Sequence, residues 1–264
     1  MTRSPQAASR IVELTREASA VAPGVLWLHG SRAIVAADVH FAYEDVIGAA
    51  LPAWSTKEIV RTLLARARSL DAREIILLGD VVHGTRMSGG AAREVRQGLA
   101  ALREVAALTI VAGNHEGKTR GAAILGETVE SLERDGLLLI HGDRAPSLAE
   151  VSASRGVVIG HLHPSLPVGA RESVPAFLAG ERLIVVPALT PYSSGLSVFS
   201  HECLRALQPF NVSSRRELHV VAAMNEQLYP FGTLSELLKL RRQPDSRCNL
   251  PATPSDRRKL FHEQ

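Results

Sequence analysis

Short apolar runs that carry metal-binding side chains constrain this chain more than any other feature. They are "RAIVAAD" (32–38), "EIILLGD" (74–80), "LTIVAGN" (108–114), "LLLIHGD" (137–143) and "GVVIGH" (156–161). Their near-continuous Val, Ile and Leu content predicts strands buried on both faces. Two further runs, "RLIVVPAL" (182–189) and "LSVFS" (196–200), continue the pattern. Helical spacing occupies the gaps. In "STKEIVRTLLARARSL" (55–70), Ile59, Leu63, Leu64, Ala67 and Leu70 share a stripe, and Ser55 with Glu58 reads as a capping box. "AAREVRQGLAALREVA" (91–106) predicts a second helix and "AILGETVESLERDG" (123–136) a third, ending near Gly136. Strands alternating with helices predict an α/β layered domain.

Composition narrows the class. Hydrophobic residues at 45% and charged residues at 22% suit a soluble globular protein, and no run reaches the roughly 18 apolar residues of a membrane span. Glu13 and Glu17 fall where a signal peptide would have its apolar core, so the N-terminus reads as mature sequence. The two cysteines, Cys203 and Cys248, have no ligand-like spacing, which argues against a disulfide framework or a thiolate site and fits a reducing cytoplasm. A net charge of +3 from scattered bases is a weak pointer to anionic partners. The expected organisation is one domain over residues 1–240, with a motif core at 33–200. The aperiodic segment 241–264 reads as a flexible tail.

The polar residues fall in register with the runs. Asp38 with His40, Asp80 with His83, Asn114 with His115, and His161 with His163 each follow one, and His141 lies inside another. Ligands of open α/β sheets bind beyond the carboxyl ends of the strands, so these groups should converge there. Any one motif has a bland explanation as a strand-end cap or a loop histidine. All of them in order do not. An extended backbone through "GHLHP" would point His161 and His163 to one face. Imidazoles, carboxylates and an amide oxygen without thiolate suit Mn, Fe, Zn or similar ions. Asp38, His40, Asp80, Asn114, His141, His161 and His163 are too many for one tetrahedral ion. With a carboxylate such as Asp80 bridging, they supply four ligands to each of two metals.

The order "ADVHF", "LGDVVHG", "AGNHEG", "IHGD", "IGHLHP" resembles the calcineurin-like metallophosphoesterases, over roughly residues 33–164. "DVHFAYEDVIGAALPAW" with "GDVVHG" is similar to the ICC-like branch, which includes phosphoesterases associated with DNA ligase and helicase operons. The resemblance implies a four-layer α/β/β/α sandwich. It also implies two divalent metals, Mn foremost, with Fe, Zn or Ni tolerated. Asp38, His40, Asp80 and His163 would hold one metal, and Asp80, Asn114, His141 and His161 the other. His115 would be the catalytic acid, oriented by Glu116, with the attacking hydroxide shared by the metals. His83 departs from the pattern, since many members have Asp at that place; it either contacts phosphate or is a satisfied loop histidine.

The implied activity is hydrolysis of a phosphodiester, of a nucleotide or a nucleic-acid end, with DNA-repair proteins as partners and no membrane. A phosphomonoesterase with the same centre and a silent binding scaffold are the alternatives. Lys118, Arg120 and Arg144 follow the motifs, where they meet substrate phosphate or remain solvated loop charges. Tyr192 in "VPALTPYSSG" either lines the pocket or packs. His29, His201, His219 and His262 lie outside the motifs and read as structural or solvated.

Overall fold

The apolar runs become the centres of two sheets. The structure is a computed structural model that describes residues 8–48, 54–83, 87–115, 120–169, 172–193, 195–210 and 217–242, with the side chains of 120–122 and 242 outside the description. Six strands in chain order form the first sheet: β1 (Ile11–Glu13), β2 (Ala18–Val21), β3 (Val25–Leu28), β4 (Ala33–Ala37), β5 (Glu74–Leu78) and β6 (Ala107–Val111). The first four make an antiparallel meander, and β4, β5 and β6 pair in parallel. Helices α1 (Tyr43–Val46) and α2 (Trp54–Ser69) connect β4 to β5, and α3 (Gly89–Val105) connects β5 to β6.

The second sheet begins with β7 (Leu132–Arg134), β8 (Leu137–Leu139) and β9 (Gly156–Ile159). It continues through β10 (Pro164–Pro167), β11 (Ser173–Ala179), β12 (Leu183–Val185) and β13 (Leu196–Ser197) to β14 (His219–Met224) and β15 (Gln227–Thr233). Its order is β13-β10-β11-β12-β9-β8-β7, with β14 also on β11 and β15 beyond it; β8, β9 and β12 are mutually parallel. Helices α4 (Arg120–Leu125), α5 (Leu148–Ala153), α6 (His201–Ala206) and α7 (Leu234–Arg242) and a 3₁₀ turn at Gln208–Phe210 complete the described elements.

Alternation along the central strands produces four layers. Val35, Ala37, Ile76 and Leu78 face the other sheet and meet Leu139, Val158, Phe177 and Ile184. Their neighbours Ile34, Ala36, Ile75 and Leu77 face outward, onto Ile59, Leu63, Val95 and Leu99 of α2 and α3. On the opposite side, Val157 and Ile159 meet Cys203, Leu207 and Leu234. Because both faces of these strands are covered, their sequences are continuously apolar. The result is the expected α/β/β/α sandwich.

Three local expectations change. The helix expected over 123–136 ends at Leu125, and Leu132–Arg134 pairs with β8 instead. Asp135 and Gly136 both take positive φ, 55° and 78°, so they form the two-residue hairpin turn that an Asp-Gly pair favours. Ser55 lies inside α2 rather than capping it, and its amide and hydroxyl turn to Glu44. Finally, α7 includes Arg241 and Arg242 of the expected tail, and residues 243–264 lie outside those described.

Candidate metal centre

The parallel strands β4, β5 and β6 of one sheet and β8 and β9 of the other end at one edge of the sandwich. The loops beyond them carry the predicted residues. Chain segments there are tied together: His40 N–H donates to the Asp80 carbonyl at 3.0 Å, and Leu189 N–H to the Ala37 carbonyl at 3.0 Å. The second bond brings the strap after β12 across to the end of β4.

Two clusters result. Asp38, His40 and His163 each offer a ligand atom within 4.8 Å of the others, and so do Asp80, His141 and His161. Asn114 joins the second cluster, since its Oδ1 lies 3.0 Å from His141 Nε2. His161 Nδ1 at 3.1 Å and Asp80 Oδ2 at 3.4 Å crowd the same nitrogen. One proton on Nε2 cannot satisfy an amide oxygen, a carboxylate and an imidazole together, whereas a cation among these atoms would. In the first cluster Asp38 Oδ1 lies 3.1 Å from His163 Nε2, yet it is buried without a hydrogen-bond partner, as is His141 Nδ1. Buried orphans of this kind are costly unless something else binds them. The donor set therefore fits two cations.

The backbone is strained to produce this geometry. Asp38, His40, Asp80, His161 and His163 have φ of 51°, 43°, 45°, 58° and 43°. Left-handed non-glycine residues cost roughly 1–3 kcal/mol each and persist where surrounding structure over-determines them. This also corrects the reading of "GHLHP". The strand ends at Ile159, the backbone is not extended at either histidine, and the two imidazoles diverge to separate clusters.

Electrostatics reflect the buried carboxylates. Burial opposes a charge on His141, but the Asp80 hydrogen bond and the Asp38, Asp80 and Asp143 carboxylates outweigh it and push the ring up to about 9. Burial likewise works against the Asp80 charge, yet the His141 hydrogen bond and charge and the His115 amide hold its carboxyl far below the usual range. Burial lowers His40 to about 4 against the pull of Asp38 and Asp80. His161 is lowered by burial and by His141, and His83 by burial and by His115. The carboxylates that raise His141, Asp38, Asp80 and Asp143, would equally favour a cation in place of its proton.

His115 sits beside the clusters. Its amide donates to Asp80 Oδ1 at 3.0 Å, its Nε2 is 3.8 Å from Asp80 Oδ2, and its side chain is 41% exposed. His83 is drawn in too: its Nδ1 meets His40 Nδ1 at 3.1 Å, and its ring stacks on His115 at 4.9 Å. Arg144 pairs with Glu150 at 3.3 Å. Glu116 and Lys118 lie outside the described residues, and Arg120 opens α4 with its side chain outside the description. His29 is structural, held by Ser19 Oγ and the Arg16 carbonyl.

Three residues escaped the sequence reading. Ser193 Oγ lies 2.6 Å from His163 Nδ1, fixing that ring so that Nε2 faces Asp38. Tyr43 packs against His83 at 4.7 Å. Glu44, 1% exposed, hydrogen-bonds Ser55 and Tyr192. The only sequence signal for them was position: Tyr43 and Glu44 follow the first ligand pair within four residues, and Ser193 lies in the turn-rich strap after β12.

A family model for the calcineurin-like phosphoesterase superfamily domain matches residues 32–185. The chain belongs to that family, whose members are dimetal-dependent. The crystal structure of the nuclease MPE from Pseudomonas putida superposes with a TM-score of 0.63 at 18% identity, over 85% of this chain and 100% of that one. The likeness establishes a shared fold. A protein of unknown function from Aquifex aeolicus, AQ665, aligns at 15% identity over 50% of this chain and 78% of its own, with a TM-score of 0.31. No curated protein matches. No helix among the described residues is long and apolar enough to cross a membrane.

Proposed function

We propose that this protein is a metal-dependent phosphodiesterase acting on a nucleotide or a nucleic-acid end. The observation that carries the reading is the crowding of Asn114 Oδ1, His161 Nδ1 and Asp80 Oδ2 around His141 Nε2, beside a second cluster with an orphaned Asp38 oxygen. Asp38, His40 and His163 would hold one divalent ion, and Asn114, His141 and His161 the other, with Asp80 between them. Ions bound there would supply Lewis acidity and a water activated near neutral pH.

The chain's own residues do the rest. His115, exposed and outside both ligand sets, is the general acid that protonates the departing alkoxide, with Glu116 as its orienting partner. The neutral His83 ring offers a hydrogen bond to a non-bridging phosphate oxygen, and Lys118, Arg120 and Arg144 are the nearby candidates for the remaining charge. Ser193, by binding Nδ1, holds the His163 ring in the orientation that presents Nε2 to Asp38. The nuclease named for the Pseudomonas neighbour and the resemblance to the ICC-like branch support a nucleic-acid substrate and a setting near DNA repair.

The test is a substrate panel on metal-stripped protein reloaded with Mn, Fe, Zn or Ni. Nucleotide diesters, short single strands and matched monoesters are compared at equal metal content. Faster turnover of diesters supports the reading. Hydrolysis confined to monoesters replaces it with the phosphatase alternative, and no hydrolysis with any metal defeats it.

A further inference from the structure

An exposed aromatic ring is held in place by a buried carboxylate at the rim of the metal centre. Tyr192 is 43% exposed, and its hydroxyl donates to Glu44 Oε1 at 3.1 Å. Glu44 also accepts the Ser55 N–H at 2.9 Å and the Ser55 hydroxyl at 2.8 Å. Burying a carboxylate is expensive unless it is fully hydrogen-bonded, and here part of that bonding anchors a phenol that water would otherwise solvate. The inner face of Tyr192 stacks on Tyr43, with ring centroids 5.0 Å apart and planes 14° from parallel. Among the described residues no other ring stacks on Tyr192, and the residue is 43% exposed.

The ring is also placed relative to the catalytic groups. Tyr43 meets His83 at 4.7 Å, and His83 stacks on His115 at 4.9 Å, so a run of rings leads from His115 to solvent. A second tether comes from the next residue, since Ser193 Oγ binds His163 Nδ1 at 2.6 Å. Tyr192 therefore cannot move far without disturbing a ring of the first cluster. A fixed aromatic face is a sequence-tolerant receptor for a base, because every nucleobase presents a π-face and little ordering remains to be done on binding.

We infer that Tyr192, backed by Tyr43 and locked by Glu44, is a stacking platform for the nucleobase that flanks the scissile phosphate. The inference rests on the phosphodiesterase reading for the identity of the substrate, but the platform can be tested without turnover. It makes Tyr192 a specificity residue that favours nucleoside esters over esters lacking a base.

The binding arm uses the metal-stripped full chain and a short single strand carrying 2-aminopurine. Stacking on Tyr192 quenches its fluorescence on titration; Tyr192→Phe, which keeps the ring but not the bond to Glu44, retains a weakened quench, and Tyr192→Leu loses it. The kinetic arm uses Mn-loaded protein and two strands that differ only by an abasic site beside the cleaved bond. Tyr192→Leu should raise KM roughly 5- to 100-fold more on the base-bearing strand than on the abasic one, the range expected for one lost base stack. An equal loss on both strands, or an unchanged KM on the base-bearing one, overturns the platform. Quenching that depends on Tyr192, without hydrolysis, supports the platform while the diesterase reading fails.

Discussion

His161 donates its backbone N–H to Asp38 Oδ2 at 2.9 Å, joining a loop that follows β9 in one sheet to the residue just after β4 in the other. The two sheets thus meet at a candidate ligand. Asp38 turns one oxygen to this bond and keeps the other facing His163, so the bond sets the direction of the free lone pairs. The approach is close enough that only glycine fits before His161. A β-carbon at Gly160 would stand 2.6 Å from Asp38 Oδ2 and 2.7 Å from Ala37 Cβ.

Gly160→Ala should consequently destabilise the protein by about 1–3 kcal/mol, the usual range for overpacking, and lower its metal content. Denaturant unfolding and elemental analysis of the same preparation check both. An alanine variant with unchanged stability and two bound metals would show that the loop can retreat from Asp38.

His115→Ala should retain the metals and lose about 10²–10⁴-fold in kcat on alkyl diesters, as removal of a general acid does. Activated aryl diesters, whose leaving groups need no proton, should suffer far less. The contrast between the two leaving groups separates an acid from a structural histidine, which would affect both alike.

Metal should stabilise the fold, because Asp38 Oδ1 is buried without a hydrogen-bond partner among the described residues and His141 Nε2 is crowded by Asn114 Oδ1, His161 Nδ1 and Asp80 Oδ2. Free ion at a thousandfold over its dissociation constant contributes about 4 kcal/mol per site. Thermal melting of chelator-treated protein, titrated with Mn, should show a rising midpoint. Asp80→Ala should flatten that rise more than Asn114→Ala, since Asp80 is the carboxylate proposed to serve both ions and Asn114 only one.

Away from the site, Arg134 binds Glu74 through Nε at 2.8 Å and through a second nitrogen at 3.0 Å. Burial pushes the Glu74 carboxyl up, but the Arg134 and Thr109 hydrogen bonds and the Arg134 charge outweigh it and hold the group below its ordinary 4.5. A depressed carboxyl contributes stability above that ordinary value and loses it as pH falls through the lower folded one. Arg134→Met should cost about 1–3 kcal/mol at pH 7, below the full buried-pair penalty because the arginine is one-third exposed. Urea unfolding should find the difference shrinking as the medium is acidified well below 4.5.

Seven of the fifteen described strands (β4, β5, β6, β8, β9, β12 and β13) and the two long helices were legible because their signals are local; the other strands were not anticipated. Ile75, Ile76, Leu77 and Leu78 announce a strand covered on both faces, and α2 and α3 follow their apolar stripes to within two residues. Glu133 and Arg134 misled for the opposite reason. Their neighbourhood favours helix, and the Asp135–Gly136 turn with pairing to β8 overrides it.

The seven candidate ligands could be named from sequence because parallel strands deliver their carboxyl ends to one edge, so a residue's place after a strand already implies its place in space. The family resemblance had already assigned them to two sets; what tertiary structure adds is the means, left-handed turns at Asp38, Asp80, His161 and His163 that lead neighbours in sequence to separate clusters. Glu44 and Tyr192 lie at the far extreme, 148 residues apart. No periodicity relates them; their contact exists because the strap after β12 bonds to the end of β4, and only the packing of one sheet on the other decides that.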